Sequence, residues 1–248
     1  MVDRMLTTVY AGIDCYYTER LQRYGSTPRG VDWTCSASQE LRFVQLMKLC
    51  DFEVPFSLND VGCGYGALVG YLARRHARAE IDYLGIDLAA AMVRRARPMW
   101  RTHGWATFIT GNAAPRPADY SVASGIFNVK LDQSRRLWER FVAVTLDNMH
   151  ATSRKGFAVN FMLAQLPSSH HARGTNLYRC LPEKWGRHCE REFGSSVAII
   201  DGYGQAEFTL LVLPKGMQPW IYERARGRDG PRIPLPPTCG PNLRHGRA

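Results

Sequence analysis

The chain has 248 residues, 45% of them hydrophobic and 22% charged, a balance that suits one globular α/β domain able to bury a core. No apolar run approaches the roughly 20 residues of a membrane span, and the N-terminus has no apolar signal core, so a cytoplasmic protein with no membrane partner is expected. The formal net charge of +10 leaves nucleic acid or another acidic surface open as a partner, whereas seven scattered cysteines without a Cys-x-x-Cys pair, and the pairs His170-His171 and His188-Cys189, lack metal-site spacing, so no metal is expected.

Residues 1–52 read as a helical extension interrupted at Gly25-Ser26-Thr27-Pro28-Arg29-Gly30. Its second part, SASQELRFVQLMKLC, has a serine start signal and apolar residues at Leu41, Val44, Leu46 and Met47. An alternating pattern then fills 53–215. SLNDVG is a buried strand running into a glycine turn, followed by the helix ALVGYLARRHA. IDYLGID is a second strand, and LAAAMVRRA a helix that Pro98 should end or kink. ATFIT and YSVASGIF are further strands, 131–152 is helical, and KGFAVNFML is a fifth strand. Such alternation predicts a Rossmann-like, mostly parallel sheet with helical crossovers. In SSVAIIDGYGQAEFTLLVL, two β-rich runs are separated only by DGYGQ. That link is too short for a parallel crossover, so one antiparallel strand should close the sheet at its C-terminal side. Residues 216–248 read as a basic, Pro- and Gly-rich tail, with six arginines from Glu223 onward.

The sharpest motif is Asp60-Val61-Gly62-Cys63-Gly64-Tyr65-Gly66, at the end of the first strand. Glycines there permit a tight turn and let backbone approach a ligand without obstruction by Cβ. Asp87 ends the second strand, where a carboxylate can accept hydrogen bonds from both ribose hydroxyls; it could equally cap the next helix. Gly62, Gly64 and Ala67 also satisfy the dinucleotide fingerprint. Three features favour a cationic nucleoside over a dinucleotide: the acid Asp60 opening the loop, the long helical stretch before it, and the terminal hairpin.

With these residues the sequence resembles the class I S-adenosylmethionine-dependent methyltransferases over about residues 57–214. The segments TPRGVDW, SQELRF, ASGIFNVK, SRKGFAVN and DGYGQAEFTLLV are similar to a bacterial, small-molecule-type subgroup. The resemblance implies that Asp60, Gly62, Cys63, Gly64 and Gly66 line the methionine and ribose part of S-adenosyl-L-methionine. It implies that Asp87 binds the ribose, Leu88 packs on the adenine, and Asn112 with Ala113 meets the adenine edge. Ser124 and Gly125 would face the methyl-transfer site. In the N-terminal extension, Trp33 and Gln39 could close over the cofactor, and Arg42 is the expected partner of its carboxylate.

Methyl transfer from a sulfonium is an in-line displacement that needs alignment and exclusion of water. Oxygen and nitrogen acceptors can also need a general base. Tyr17, Asn128, Lys130 and His150 are the candidates, each with an ordinary structural alternative. The fourth strand ends in Ser-Gly-Ile-Phe, not in the Asn/Asp-Pro-Pro-aromatic motif of DNA amino-methylating enzymes, and no Pro-Cys nucleophile stands there. A small-molecule acceptor is therefore the leading expectation. The alternatives are an RNA methyltransferase, or a module that uses the fold to bind nucleic acid or an acidic partner.

Overall fold

A computed structural model describes residues 4–164 and 176–218. The expected tail, apart from its first three residues, and the His170-His171 pair lie outside the described residues. Chain order runs α1 (Thr7–Tyr24), α2 (Ser36–Leu46), β1 (Phe56–Val61), α3 (Ala67–Arg75), β2 (Ile81–Asp87), α4 (Ala90–Met99), β3 (Ala106–Thr110) and β4 (Ala118–Ala123). Then follow α5 (Arg135–Ala151), β5 (Ser153–Leu163), β6 (Arg179–Cys180), α6 (Pro182–Phe193), β7 (Ser196–Ile200) and β8 (Glu207–Leu213). Among the described residues no helix is long and apolar enough to cross a membrane.

The strands form one sheet in the order β3-β2-β1-β4-β5-β8-β7, with β6 pairing to β5. Pairs from β3 to β5 are parallel, while β8 runs antiparallel to both β5 and β7. The hairpin read from DGYGQ is thus present, and β8 inserts between β5 and β7. The order reverses between β1 and β4, which opens a crevice at the carboxyl ends of those strands.

Alternate residues of the central strands feed two cores. Phe157, Val159 and Phe161 of β5 pack with Trp138, Val142 and Leu146 of α5 and with Trp185 of α6. Ala158, with Leu211 and Leu213 of β8, packs against Phe43 and Leu46 of α2 and Leu68 and Leu72 of α3. This period-two sorting places helices on both faces of the sheet. Truncating a fully buried aromatic such as Trp138 should cost about 3–5 kcal/mol.

Three elements differ from the reading of the sequence. The fourth strand stops at Ala123, so Ser-Gly-Ile-Phe is a turn rather than strand, with Gly125 at φ +75°. Helix α6 and the short β6 have no counterpart in that reading. Helix α6 carries Glu, Lys and Arg among Trp185, Gly186 and Cys189, a narrow apolar stripe that a composition scan passes over.

Candidate functional site

The crevice holds a cavity of about 950 Å3, its mouth included. Its floor is the glycine turn. Gly62, Gly64 and Gly66 have φ of +76°, +57° and +83°, a region costly for residues with a Cβ. Space demands glycine as well: a Cβ on Gly62 would lie 2.1 Å from Ile126, and one on Gly64 3.0 Å from Val31. Gly66 serves packing instead, because its Cβ would strike Trp100, whose indole donates to the Tyr65 carbonyl.

Asp87 stands where β2 ends, 8% exposed. One carboxylate oxygen accepts the Gly64 N–H at 2.7 Å and the other the Ala89 N–H at 2.8 Å. Asp87 therefore ties the glycine turn to the segment just before the next helix, whose N-cap is Ala89, and also lines the cavity. Burial raises its pKa to about 6, against the two N–H bonds. Asp60 also lines the cavity and accepts from the Tyr83 hydroxyl at 2.6 Å. Burial raises its pKa to about 7; the Tyr83 bond opposes this, and the nearby Asp87 charge adds to it.

Of the residues expected to hold the cofactor, Asp60, Gly62, Cys63, Gly64, Asp87, Leu88, Asn112, Ser124, Gly125, Trp33 and Gln39 line the cavity; Gly66, Ala113 and Arg42 do not. Arg42 needs correction. Its guanidinium bonds bidentately to Glu207 at 2.6 and 2.7 Å, and Nη1 donates to the Ser38 carbonyl. Both side chains are buried. A guanidinium so engaged has little left for a ligand carboxylate, and its charge is already compensated.

The candidates for a base separate in the same way. Tyr17 lines the cavity, but burial holds its hydroxyl far above the ordinary tyrosine range, so it stays protonated. Asn128 is buried behind the turn after β4, with Nδ2 3.5 Å from Glu207. Lys130 donates to the Leu131 and Gln133 carbonyls. His150 stacks on Phe193 at 4.3 Å, on the far side of α5 from the cavity lining. Cys63 is buried with its thiol pushed well up, which suits a filler of the turn rather than a nucleophile.

The sequence reading passed over other lining residues. Tyr10 and Ile13 of α1 join Tyr17 in the lining at helical spacing, and Phe141 and Thr145 of α5 line it too, the Phe141 ring edge-on to Tyr10 at 6.1 Å. The i, i+3, i+7 spacing on α1 was a usable signal; the contribution of α5 was not, since it depends on how that helix crosses the sheet.

The site suits the group that the fold implies. Among the described residues, the buried Ser124 Oγ on the cavity wall has no hydrogen-bond partner, and no Lys, Arg or His lines the cavity beside its two carboxylates. That donor set fits a cationic nucleoside better than a pyrophosphate. Among the described residues there is also no group of three or more His, Cys, Asp or Glu that could hold a metal.

Comparison with known proteins agrees. A family model described as a methyltransferase domain matches residues 59–156. The chain is 41% identical over 166 residues to Rv1506c of Mycobacterium tuberculosis, which carries a provisional methyltransferase name; the match spans 67% of this chain and 98% of that one. Among solved structures, magnesium protoporphyrin IX methyltransferase from Synechocystis with bound SAH, the demethylated cofactor, superposes with a TM-score of 0.61. It is 15% identical, over 84% of this chain and 99% of the other. Human N-acetylserotonin methyltransferase in complex with SAM gives 0.58 at 16% identity, covering 84% and 59%. Crevice, glycine turn and relative converge: the chain belongs to the class I S-adenosylmethionine-dependent methyltransferases.

Proposed function

We propose that this methyltransferase acts on a small molecule held between α1 and α5, beside the turn that follows β4. One observation carries the proposal. The cavity lining does not end at the cofactor turn; it also takes in Tyr10, Ile13, Ile126 and Phe141. A largely apolar pocket suits a compact acceptor better than a polymer backbone. The names of several structural neighbours, including the porphyrin and N-acetylserotonin enzymes, are compatible with such an acceptor.

When bound, the cofactor supplies an electrophilic methyl on a sulfonium sulfur. The chain's own part is to bind, orient and exclude water. Asp87 accepts from the ribose hydroxyls, and Asp60 sets a carboxylate near the cationic methionyl portion. Leu88 and Asn112 take the adenine's face and edge, while Gly62 and Gly64 admit the backbone of the turn close to the ligand. Ser124 Oγ offers a hydrogen bond at the acceptor end. Thr145 Oγ1 donates to the Phe141 carbonyl at 2.9 Å, which leaves its lone pairs to accept a donor on the acceptor molecule.

The test is a metabolite extract incubated with methyl-labelled cofactor and the full chain, then separation by size and identification of the labelled species. Label in a low-mass product supports the proposal. Label confined to RNA or protein overturns the acceptor class while leaving the family intact.

A further inference from the structure

Arg42 and Glu207 are 165 positions apart in the chain, and burying their charges is costly unless the arrangement is well satisfied. It is. Beyond the bidentate pair, Glu207 accepts from Asn160 Nδ2 at 3.1 Å and Asn128 Nδ2 at 3.5 Å. A carboxylate only accepts, so Asn160 must present its amide nitrogen to Glu207 and its oxygen to the other side. That oxygen accepts the N–H of Gly125 at 2.8 Å. The chain of bonds thus runs from α2, through the first residue of β8 and the middle of β5, to the turn after β4.

The same two endpoints meet again through Trp33. The Arg42 guanidinium lies over the Trp33 ring, 3.7 Å from its centroid. The six-membered part of that ring occupies the space where a side chain on Gly125 would be, 2.1 Å from an ideal Cβ. Just before it, Asp32 sits at φ +66°, an uncommon conformation for a non-glycine residue. Asp32 is held there by the Tyr16 hydroxyl and, at 2.5 Å, by Arg20. Trp33, which lines the cavity, is therefore secured from α1 on one side and from the sheet on the other.

We propose that the Arg42–Glu207 pair positions Trp33: Glu207 fixes Arg42 and, through Asn160, Gly125, so that Trp33 closes the β4 end of the cleft over the reacting end of the cofactor. Arg42 is a positioning residue here rather than a ligand of the cofactor, and Trp33 is the surface that retains the cofactor and excludes water. This rests on the family assignment and not on the nature of the acceptor.

The probe is S-adenosylhomocysteine, read by calorimetry and by its dissociation rate from the full chain. Arg42→Met combined with Glu207→Gln removes both charges, keeps most of the volume, and leaves an acceptor for Asn160. Its melting temperature should stay within a few degrees of the parent, while affinity falls at least tenfold, about 1.4 kcal/mol, mainly through faster release. Trp33→Ala should show a comparable loss. The three changes together should lose no more than Trp33→Ala alone, because both routes end at one ring. Parental affinity in the folded pair variant overturns the proposal, and so do losses that multiply. If the pair variant does not fold, Trp33→Ala against Trp33→Phe decides: fast release from the first with partial recovery in the second supports the proposal, and parental release from Trp33→Ala ends it.

Discussion

The two ends of the cleft are built in different ways. The cofactor end comes from two short strand-to-helix turns, Asp60–Gly66 and Asp87–Ala89, joined by Asp87, which accepts from Gly64 and Ala89. The covered end comes from residues far apart in the chain: Tyr16, Trp33, Arg42, Asn160 and Glu207. The first needs particular residues at particular backbone angles. The second needs the sheet to be assembled before any of its partners meet. Chemistry that every relative must perform can be encoded locally, whereas closure over the reacting groups depends on the assembled fold.

The largest effect expected from this contrast lies at the covered end. Arg42→Met alone strands the Glu207 carboxylate among buried atoms, so unfolding free energy should drop by about 3–5 kcal/mol. Pairing it with Glu207→Gln should restore most of that loss. Denaturant titration of the two variants checks this; a single variant as stable as the parent would show that the pair is not insulated from water.

At the cofactor end, Asp87→Ala should act on binding first. On the proposed ribose contact it removes two charge-assisted hydrogen bonds, each worth about 1.5–3 kcal/mol before compensation. Affinity for S-adenosylhomocysteine should fall at least 100-fold, about 2.7 kcal/mol. Some stability should go with it, since the Gly64 and Ala89 N–H groups lose their acceptor. Calorimetry showing equal binding by variant and parent would remove Asp87 from the site.

The smallest effect sharpens the electrostatic part. Asp60 and Asp87 have folded-state pKa values raised from 3.8 to about 7 and about 6. Between the ordinary carboxylate value and those raised values, the folded chain holds protons that the unfolded chain has released. The two groups therefore favour the unliganded fold at low pH, and that contribution is lost as pH rises toward 7. A ligand carrying positive charge reverses the preference, because it favours ionised Asp60. The gain in melting temperature from saturating S-adenosylhomocysteine, whose amino group is cationic in this range, should be larger at pH 8 than at pH 6. Asp60→Asn should flatten that difference; an unchanged pH profile in the variant would detach Asp60 from the ligand.

The sequence by itself determined the strand and helix alternation, the closing hairpin, the glycine turn and the acid that ends the second strand. All of these follow from short-range rules: side-chain periodicity, the positive φ that glycine permits, and a loop too short to cross over. Even Tyr10, Ile13 and Tyr17 could have been grouped from their spacing on one helix. Only the tertiary structure decided what Arg42 does. Its charge and its place on α2 suited a ligand carboxylate equally well, and nothing local to residue 42 pointed to an acid on the strand between β5 and β7. Glu207 opens the run EFTLLVL as its lone charge, which says that a partner is needed without saying which. The partner is chosen by burial: once β8 is covered on both faces, a carboxylate there must find a cation within reach, and α2, packed on that face of the sheet, carries one.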